Sequence, residues 1–239
     1  FTKHMKTILD FVYPHVCPFC GKVKRERICD ACMKKIQYIQ EPRCKRCGKP
    51  LDSEQKEYCN DCFERIRGKY CFYDEGRSLW VHRAPVSDSV YQFKFHNRRI
   101  YGTFYAGEWV SQYGNEIKRW KADALIPIPM MNKKKRERGY NQAEILAKEL
   151  SKQTGIPVIK NGLIRTKEVK AQKRLSKEAR KRNLEGVFQI KSTCRLPSSV
   201  ILLDDIYTTG NTINEAAKTL KKAGVKRVCF LTISIGQDI

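Results

Sequence analysis

Apolar and polar positions alternate in two distinct rhythms along the chain, and from about residue 85 onward the two rhythms take turns. "PVSDSVYQFKFHNRRIYGTFYAGEWVSQYGNEIK" carries apolar residues at helical spacing, broken by the turn-like "HNRRIYG". "ADALIPIP" is a short apolar strand stopped by prolines, and "GYNQAEILAKELSKQTG" is an amphipathic helix closed by Gly155. "PVIKNGLIRT" is strand-like. "SVILLDD" is apolar on both faces, as expected of a central parallel strand. "TINEAAKTLKKAG" predicts a helix closed by Gly224, and "VKRVCFLTISIG" predicts a final strand. Strands alternating with helices predict an α/β fold built on a parallel sheet.

The segment up to about Phe63 is different: it has few large apolar residues and most of the cysteines. "ERIRGKYCFYDEGRSLW" reads as the passage out of it, which divides the chain into 1–66 and 67–239. Of 11 cysteines, eight form four Cys-x-x-Cys pairs: Cys17/Cys20, Cys29/Cys32, Cys44/Cys47 and Cys59/Cys62. Two-residue spacing lets both thiolates of a knuckle point at one metal, and two knuckles complete a tetrahedral Zn²⁺ site. Pro18 lies between the first ligands, and Gly21 and Gly48 follow their knuckles, as tight turns require. Disulfides fit poorly in a chain without a secretory signal, and redox dithiols do not normally come four in a row. Eight ligands therefore imply two structural zinc ions. Sequential pairing (17/20 with 29/32, 44/47 with 59/62) gives tandem ribbons, while interleaved pairing is also geometrically open. With four thiolates each, neither ion has a free position for a substrate. A segment this short depends on the metal to fold.

Forty-eight Lys and Arg against 25 Asp and Glu give a net charge of +23, which points to a polyanionic partner. No apolar run approaches the roughly 18 residues of a membrane span. "FTKHMKTILDFVYP" lacks the long apolar segment and cleavage site of a secretory signal, so a cytoplasmic protein is expected.

The strand "VILLDD" ends in Asp204 and Asp205 and runs into Tyr207, Thr208, Thr209, Gly210, Asn211 and Thr212 before a helix begins. In an open parallel sheet, ligands sit beyond the carboxyl ends of the strands. Backbone N–H groups at a helix start, joined by Thr hydroxyls, form an anion cradle, and Gly210 lets the backbone close around it. Carboxylates repel phosphate, so the two acids should accept hydrogen bonds from hydroxyls or meet a metal. A ribose 5-phosphate carries both features. A helix-capping Asp explains one acid, but not two acids followed by Thr-Thr-Gly-x-Thr.

"VILLDDIYTTGNT" resembles the phosphoribosyl pyrophosphate (PRPP) motif of type I phosphoribosyltransferases. With "IPIPMMNKKKRERGYNQAEILAKEL" and "KAQKRLSKEARKRNLEGVF" behind a Cys-x-x-Cys region, the chain is similar to the ComF family of bacterial competence proteins, from about Cys17 to the C-terminus. The resemblance implies a phosphoribosyltransferase-like parallel sheet flanked by helices, preceded by a double zinc ribbon with four cysteines to each metal. It implies that the paired acids bind the ribose hydroxyls and the following loop the 5-phosphate. It also implies a pyrophosphate loop at 127–132, beginning with Pro127, Ile128 and Pro129, and Mg²⁺ arriving with PRPP. A basic loop covers the site in related transferases. Here "VKAQKRLSKEARKR" has the composition for it, with ten Lys or Arg between positions 160 and 182. Lys173, Arg174 and Arg180 would neutralise the departing phosphates as an oxocarbenium-like transition state forms.

Two functions remain open. One is a Mg²⁺-dependent phosphoribosyltransferase of unknown acceptor. The other, which the ComF resemblance implies, is single-stranded DNA handling in natural transformation and DNA uptake, beside a competence helicase. "VYQFKFHNRR" interleaves aromatics with Lys94, His96, Arg98 and Arg99, a composition suited to stacking bases while cations hold phosphates. The combined expectation is a competence protein that binds PRPP or a related sugar phosphate and also single-stranded DNA.

Overall fold

The computed structural model describes residues 15–24, 27–167 and 186–236. Its N-terminal part repeats one construction twice. In the first ribbon, β1 (His15–Val16) pairs antiparallel with β2 (Val23–Lys24) around the first knuckle. The Gly21 amide donates to the Cys17 carbonyl (2.9 Å), and Gly21 takes a positive φ of 72° to close the turn. The chain then reaches Cys29, the N-cap of the short helix α1 (Asp30–Met33). In the second ribbon, the Gly48 amide donates to the Cys44 carbonyl (2.9 Å). Cys59 is likewise the N-cap of α2 (Asn60–Arg67). Each metal site is thus a tight knuckle facing a helix start, and the sulfurs pair sequentially. Cys17, Cys20, Cys29 and Cys32 lie within 4.8 Å of one another, as do Cys44, Cys47, Cys59 and Cys62. This donor set suits Zn²⁺, and the grouping of the sulfurs is the sequential one, not the interleaved one.

The central sheet has four parallel strands in the order β3 (Glu75–Val81), β8 (Arg227–Ile235), β7 (Ser199–Tyr207), β4 (Ala124–Pro127). One face is covered by α3 (Val86–Phe95), α4 (Tyr101–Trp120) and α6 (Gln142–Thr154). The other carries α7 (Asn211–Lys222) and the small antiparallel pair β5 (Leu163–Arg165) and β6 (Phe188–Ile190). Between β4 and α6 runs α5 (Asn132–Arg138), which buries none of its residues.

The predicted helices and strands of the C-terminal part appear where the periodicity places them, with the break between α3 and α4 at the turn-like segment. Two features differ. "PVIKNGLIRT" contributes only a parallel bridge from Val158 to Leu125 and the three-residue β5. More important, the passage out of the cysteine segment contains β3, an edge strand of the sheet. Its polar residues conceal it, because each finds a buried partner. Arg77 bonds Glu75 (2.6 Å), and the Ser78 and Thr232 hydroxyls lie 2.6 Å apart. Gly76 must be glycine, since a Cβ there would stand 2.0 Å from the Phe230 ring.

The ribbons are built onto this sheet, one against each face. Cys17, Phe19, Cys29 and Cys32 join the core of α4 and α6, whereas Cys44, Cys47, Cys59 and Cys62 join that of α7. Phe19 meets Trp80 and Phe104 edge-on at 5.5 and 5.7 Å. Burying one such ring stabilises the docking by about 2 kcal/mol. The link between the ribbons runs beside β3, where Tyr38 bridges Trp80, and the second knuckle meets the same strand through the Gly76 amide, which donates to the Arg46 carbonyl (2.8 Å).

The purified chain is expected to hold two zinc ions, and Cys17→Ser or Cys44→Ser one. Structural zinc contributes on the order of 10 kcal/mol to the fold around it. Amide hydrogen exchange should therefore rise mainly along α4 in Cys17→Ser and mainly along α7 in Cys44→Ser. The same exchange pattern in both variants would mean the ribbons do not serve separate faces.

Candidate functional site

At the carboxyl end of the sheet a cleft of about 340 Å³ opens between the loop after β4 and the end of β7. Ile128, Pro129, Met130 and Met131 form one wall. Asp204, Asp205, Ile206, Thr208 and Thr212 form the other. Lys94 from α3, Lys134 from α5, Arg165 from β5, and Asn141 and Gln142 at the start of α6 complete the lining. Asn141 sets the first wall: its Nδ2 donates to the Ile128 carbonyl (3.0 Å), and its Oδ1 accepts from the Ala143 amide as N-cap of α6 (3.0 Å).

The two acids are held differently. Asp205 forms an ion pair with Lys94 (2.8 Å), and both side chains are mostly buried. Asp204 accepts a hydrogen bond from the Asp205 amide (2.9 Å). Burial pushes Asp204 up to about 7, and the neighbouring Asp205 charge adds to the rise. The amide bond, Lys94 and Arg165 counter it only in part.

The loop beyond divides its residues between two sides. Thr208 and Thr212 face the cleft. Tyr207 turns inward, stacked on Phe230 at 5.0 Å with its hydroxyl 2.8 Å from that of Tyr73. Gly210 has φ 74° and is the N-cap of α7, and a Cβ there would lie 2.1 Å from the Tyr207 hydroxyl. Glycine is required both for the turn and for this close approach. The Thr209 carbonyl and the Asn211 side chain point back to Arg65 of α2.

The sequence-predicted residues are therefore brought together, but not all of them reach the cleft. Asp204, Asp205, Thr208, Thr212, Ile128 and Pro129 line it. Pro127 ends β4, and Tyr207, Gly210 and Asn211 shape the loop from behind. Lys173, Arg174 and Arg180 lie outside the described residues. Sequence reading missed Lys94 and Arg165 as the cations nearest the acids, and Arg65 behind the loop. Lys94 stood within a stretch singled out for another purpose, and Arg65 carried no local signal. What results is a hydroxyl-lined cradle at the start of a 12-residue helix, two acceptors beside it, and cations on three sides.

Comparison with known proteins finds relatives for both parts of the chain. A double zinc ribbon domain family matches residues 8–63, and a phosphoribosyl transferase domain family matches residues 106–234. Competence protein F of Haemophilus influenzae is 30% identical over 213 residues, covering 86% of this chain and 89% of that protein. Competence protein ComFC of Bacillus subtilis is 29% identical over 203 residues, 83% and 80% of the two chains. DNA utilization protein YhgH of Escherichia coli K12 is 22% identical over 204 residues, 84% and 87% of the two.

The raised Asp204 gives a stability prediction with a definite sign. Its folded value of about 7 exceeds the unfolded value near 3.9, so the folded state binds the proton more tightly. Ionising it costs nothing below about pH 4, costs increasingly as pH rises towards 7, and costs fully above. Asp204→Asn should then stabilise the ligand-free protein at pH 8 by on the order of 2–4 kcal/mol, and hardly at all at pH 4. Denaturant midpoints across that range measure it. An equal effect at both ends would remove the strained carboxylate.

Proposed function

The chain belongs to the competence protein F family, and from that membership we propose that it binds PRPP or a related sugar phosphate in the Asp204–Asp205 cleft and handles single-stranded DNA during transformation. The observation that carries the first half is the facing of the two walls: paired carboxylates and a helix-start cradle on one, a short loop with Lys134 on the other. The 5-phosphate would accept hydrogen bonds from the backbone and hydroxyls of 208–212. The ribose hydroxyls would donate to Asp204 and Asp205. The pyrophosphate would lie along 128–131, with Lys94 and Lys134 within its field. Asp204 accepts a ribose hydroxyl best once ionised, and Arg165 is placed to favour that state. Mg²⁺ bound with the pyrophosphate would neutralise charge on the leaving group, and the same acids are the oxygen donors available to hold it. Lys173, Arg174 and Arg180 keep their proposed role of closing over the phosphates. A transferase acting on a small acceptor, with no DNA role, uses the same cradle. Pyrophosphate release with an acceptor present would favour it.

The DNA half draws support from the surface beside the cleft. Phe93 of the aromatic stretch is core, but Tyr91 and Phe95, one helical turn apart, are 54% and 56% exposed. Their rings lie 4.9 Å apart, His96 packs 5.5 Å from Tyr91, and the Arg138 guanidinium lies over Phe95 at 4.7 Å. Exposed aromatics among cations suit unpaired bases and their phosphates. The names of the relatives, for competence and for DNA utilization, support this reading. A competence helicase is the partner such a role calls for, and the cytoplasm its place. Among the described residues no helix is long and apolar enough to cross a membrane.

Titration calorimetry with PRPP and Mg²⁺ should show saturable binding that Asp204→Ala/Asp205→Ala weakens at least about 100-fold without unfolding the chain, as expected when two charge-assisted hydrogen bonds are lost. Unchanged affinity in the double variant sinks the ribose assignment. Single-stranded DNA affinity should fall steeply with salt, with a logarithmic slope of about −0.7 per phosphate contact. Tyr91→Ala/Phe95→Ala should cost it about tenfold or more at every salt concentration. A flat salt response, or wild-type binding by that variant, would take DNA off this face.

A further inference from the structure

The phosphate-side loop is gripped from behind by the second zinc ribbon. Arg65, in the last turn of α2, is 5% exposed, and its Nη2 donates both to the Thr209 carbonyl and to Asn211 Oδ1 (2.8 Å). A second tie runs from the cluster itself. The Tyr73 hydroxyl is 3.2 Å from the Cys62 sulfur and 2.8 Å from the Tyr207 hydroxyl at the end of β7. A third holds the first turn of α7: Asn214 Oδ1 accepts from the Phe72 amide (2.9 Å), and Nδ2 donates to the Tyr70 carbonyl (3.0 Å). Tyr207, Thr209, Asn211 and Asn214 thus face the ribbon side, while Thr208 and Thr212 face the cleft.

The grip has a consequence for anion binding. In a trans peptide, C=O and N–H point in opposite directions. Drawing the Thr209 carbonyl towards Arg65 therefore aims the Gly210 N–H away from the ribbon. The same bond keeps an electronegative oxygen out of the cradle and sets a buried positive charge beneath it. A buried guanidinium is stable only with its acceptors in place, so the constraint acts on the loop and the ribbon together.

We propose that the second zinc ribbon is part of the phosphate site, with Arg65 the positioning residue that holds the 208–212 loop in its anion-receiving shape. Loss of the second metal then releases the loop even though no zinc ligand approaches the cleft. The ligand side of this inference rests on the phosphoribosyl reading above; the mechanical side does not.

The test uses the full zinc-loaded chain, with Arg65→Ala and the gentler Arg65→Lys, whose ammonium keeps the charge but lacks the planar fork. Ribose 5-phosphate and Mg²⁺-pyrophosphate serve as separate calorimetric probes, zinc is quantified by chelator release, and amide exchange is followed over 207–212. Ribose 5-phosphate affinity should fall about tenfold or more in Arg65→Ala and less in Arg65→Lys. Pyrophosphate affinity, set by the opposite wall, should stay within about twofold, and two zinc ions should remain while exchange in the loop accelerates. Equal loss of both ligands, loss of zinc, or unaltered affinity and exchange would each overturn the proposal. A wild-type chain that binds neither ribose 5-phosphate nor PRPP would instead defeat the phosphoribosyl reading, and exchange in the Arg65 variants alone would then decide the grip.

Discussion

Two neighbouring carboxylates end a strand buried on both faces, where loss of water disfavours the charge of Asp204 first and the Asp205 charge adds to that cost, and the cleft is arranged around it. Lys94 reaches from α3 to pair with Asp205, which leaves Asp204 with an amide and the more distant fields of Lys94 and Arg165. Asp204 accordingly holds its proton up to about pH 7. A protein selected only for stability would place an amide or an apolar residue there. A carboxylate kept at Asp204, where burial disfavours its charge, is the physical sign of a site, because a group bearing hydroxyls or a cation relieves that cost on arrival.

The ribbons meet a different constraint. Neither has enough apolar surface for a core, so each uses its four thiols as an interior and then shares a face of the sheet. That sharing turns a metal-folded segment into a structural partner of the cleft. It also explains why β3 carries so many polar residues. As the strand between the sheet and the ribbons, it must satisfy Arg77 through Glu75 and meet Arg46 through the Gly76 amide.

Most of the sheet, and the placing of the paired acids and the threonine loop at its carboxyl end, were legible because they rest on local pattern: alternating strands and helices, and a dense motif between them. Three things were not. β3 was hidden because its polar residues are satisfied by partners far along the chain, such as Glu116 and Thr232, which no local rule foresees. The aim of the motif's side chains was hidden by a slip in the strand's pleat. Ile201 and Leu203 share one core and Val200 and Leu202 the other, yet Ile206 packs with the first and Tyr207 with the second. Strict alternation would exchange the last two. Arg65 was invisible for the same reason as β3: it lies 144 residues from the carbonyl it holds.

Helix α3 joins the two halves of the proposed function. Val90 and Phe93 anchor it in the core, Lys94 enters the cleft, and Tyr91 and Phe95 face outward. A base stacked on the outer face and a sugar phosphate in the cleft would therefore sit on adjacent faces of one helical turn. Any ligand that competes for Asp205 must also displace Lys94, whose freed charge then lies between the two sites. Both proposed ligands are polyanions, so a Lys94 freed by the cleft ligand would favour the second only until their own charges meet. The basic helix α5 beside the cleft, which buries nothing, fits such a pairing, since a single sugar phosphate would leave most of its charge unused.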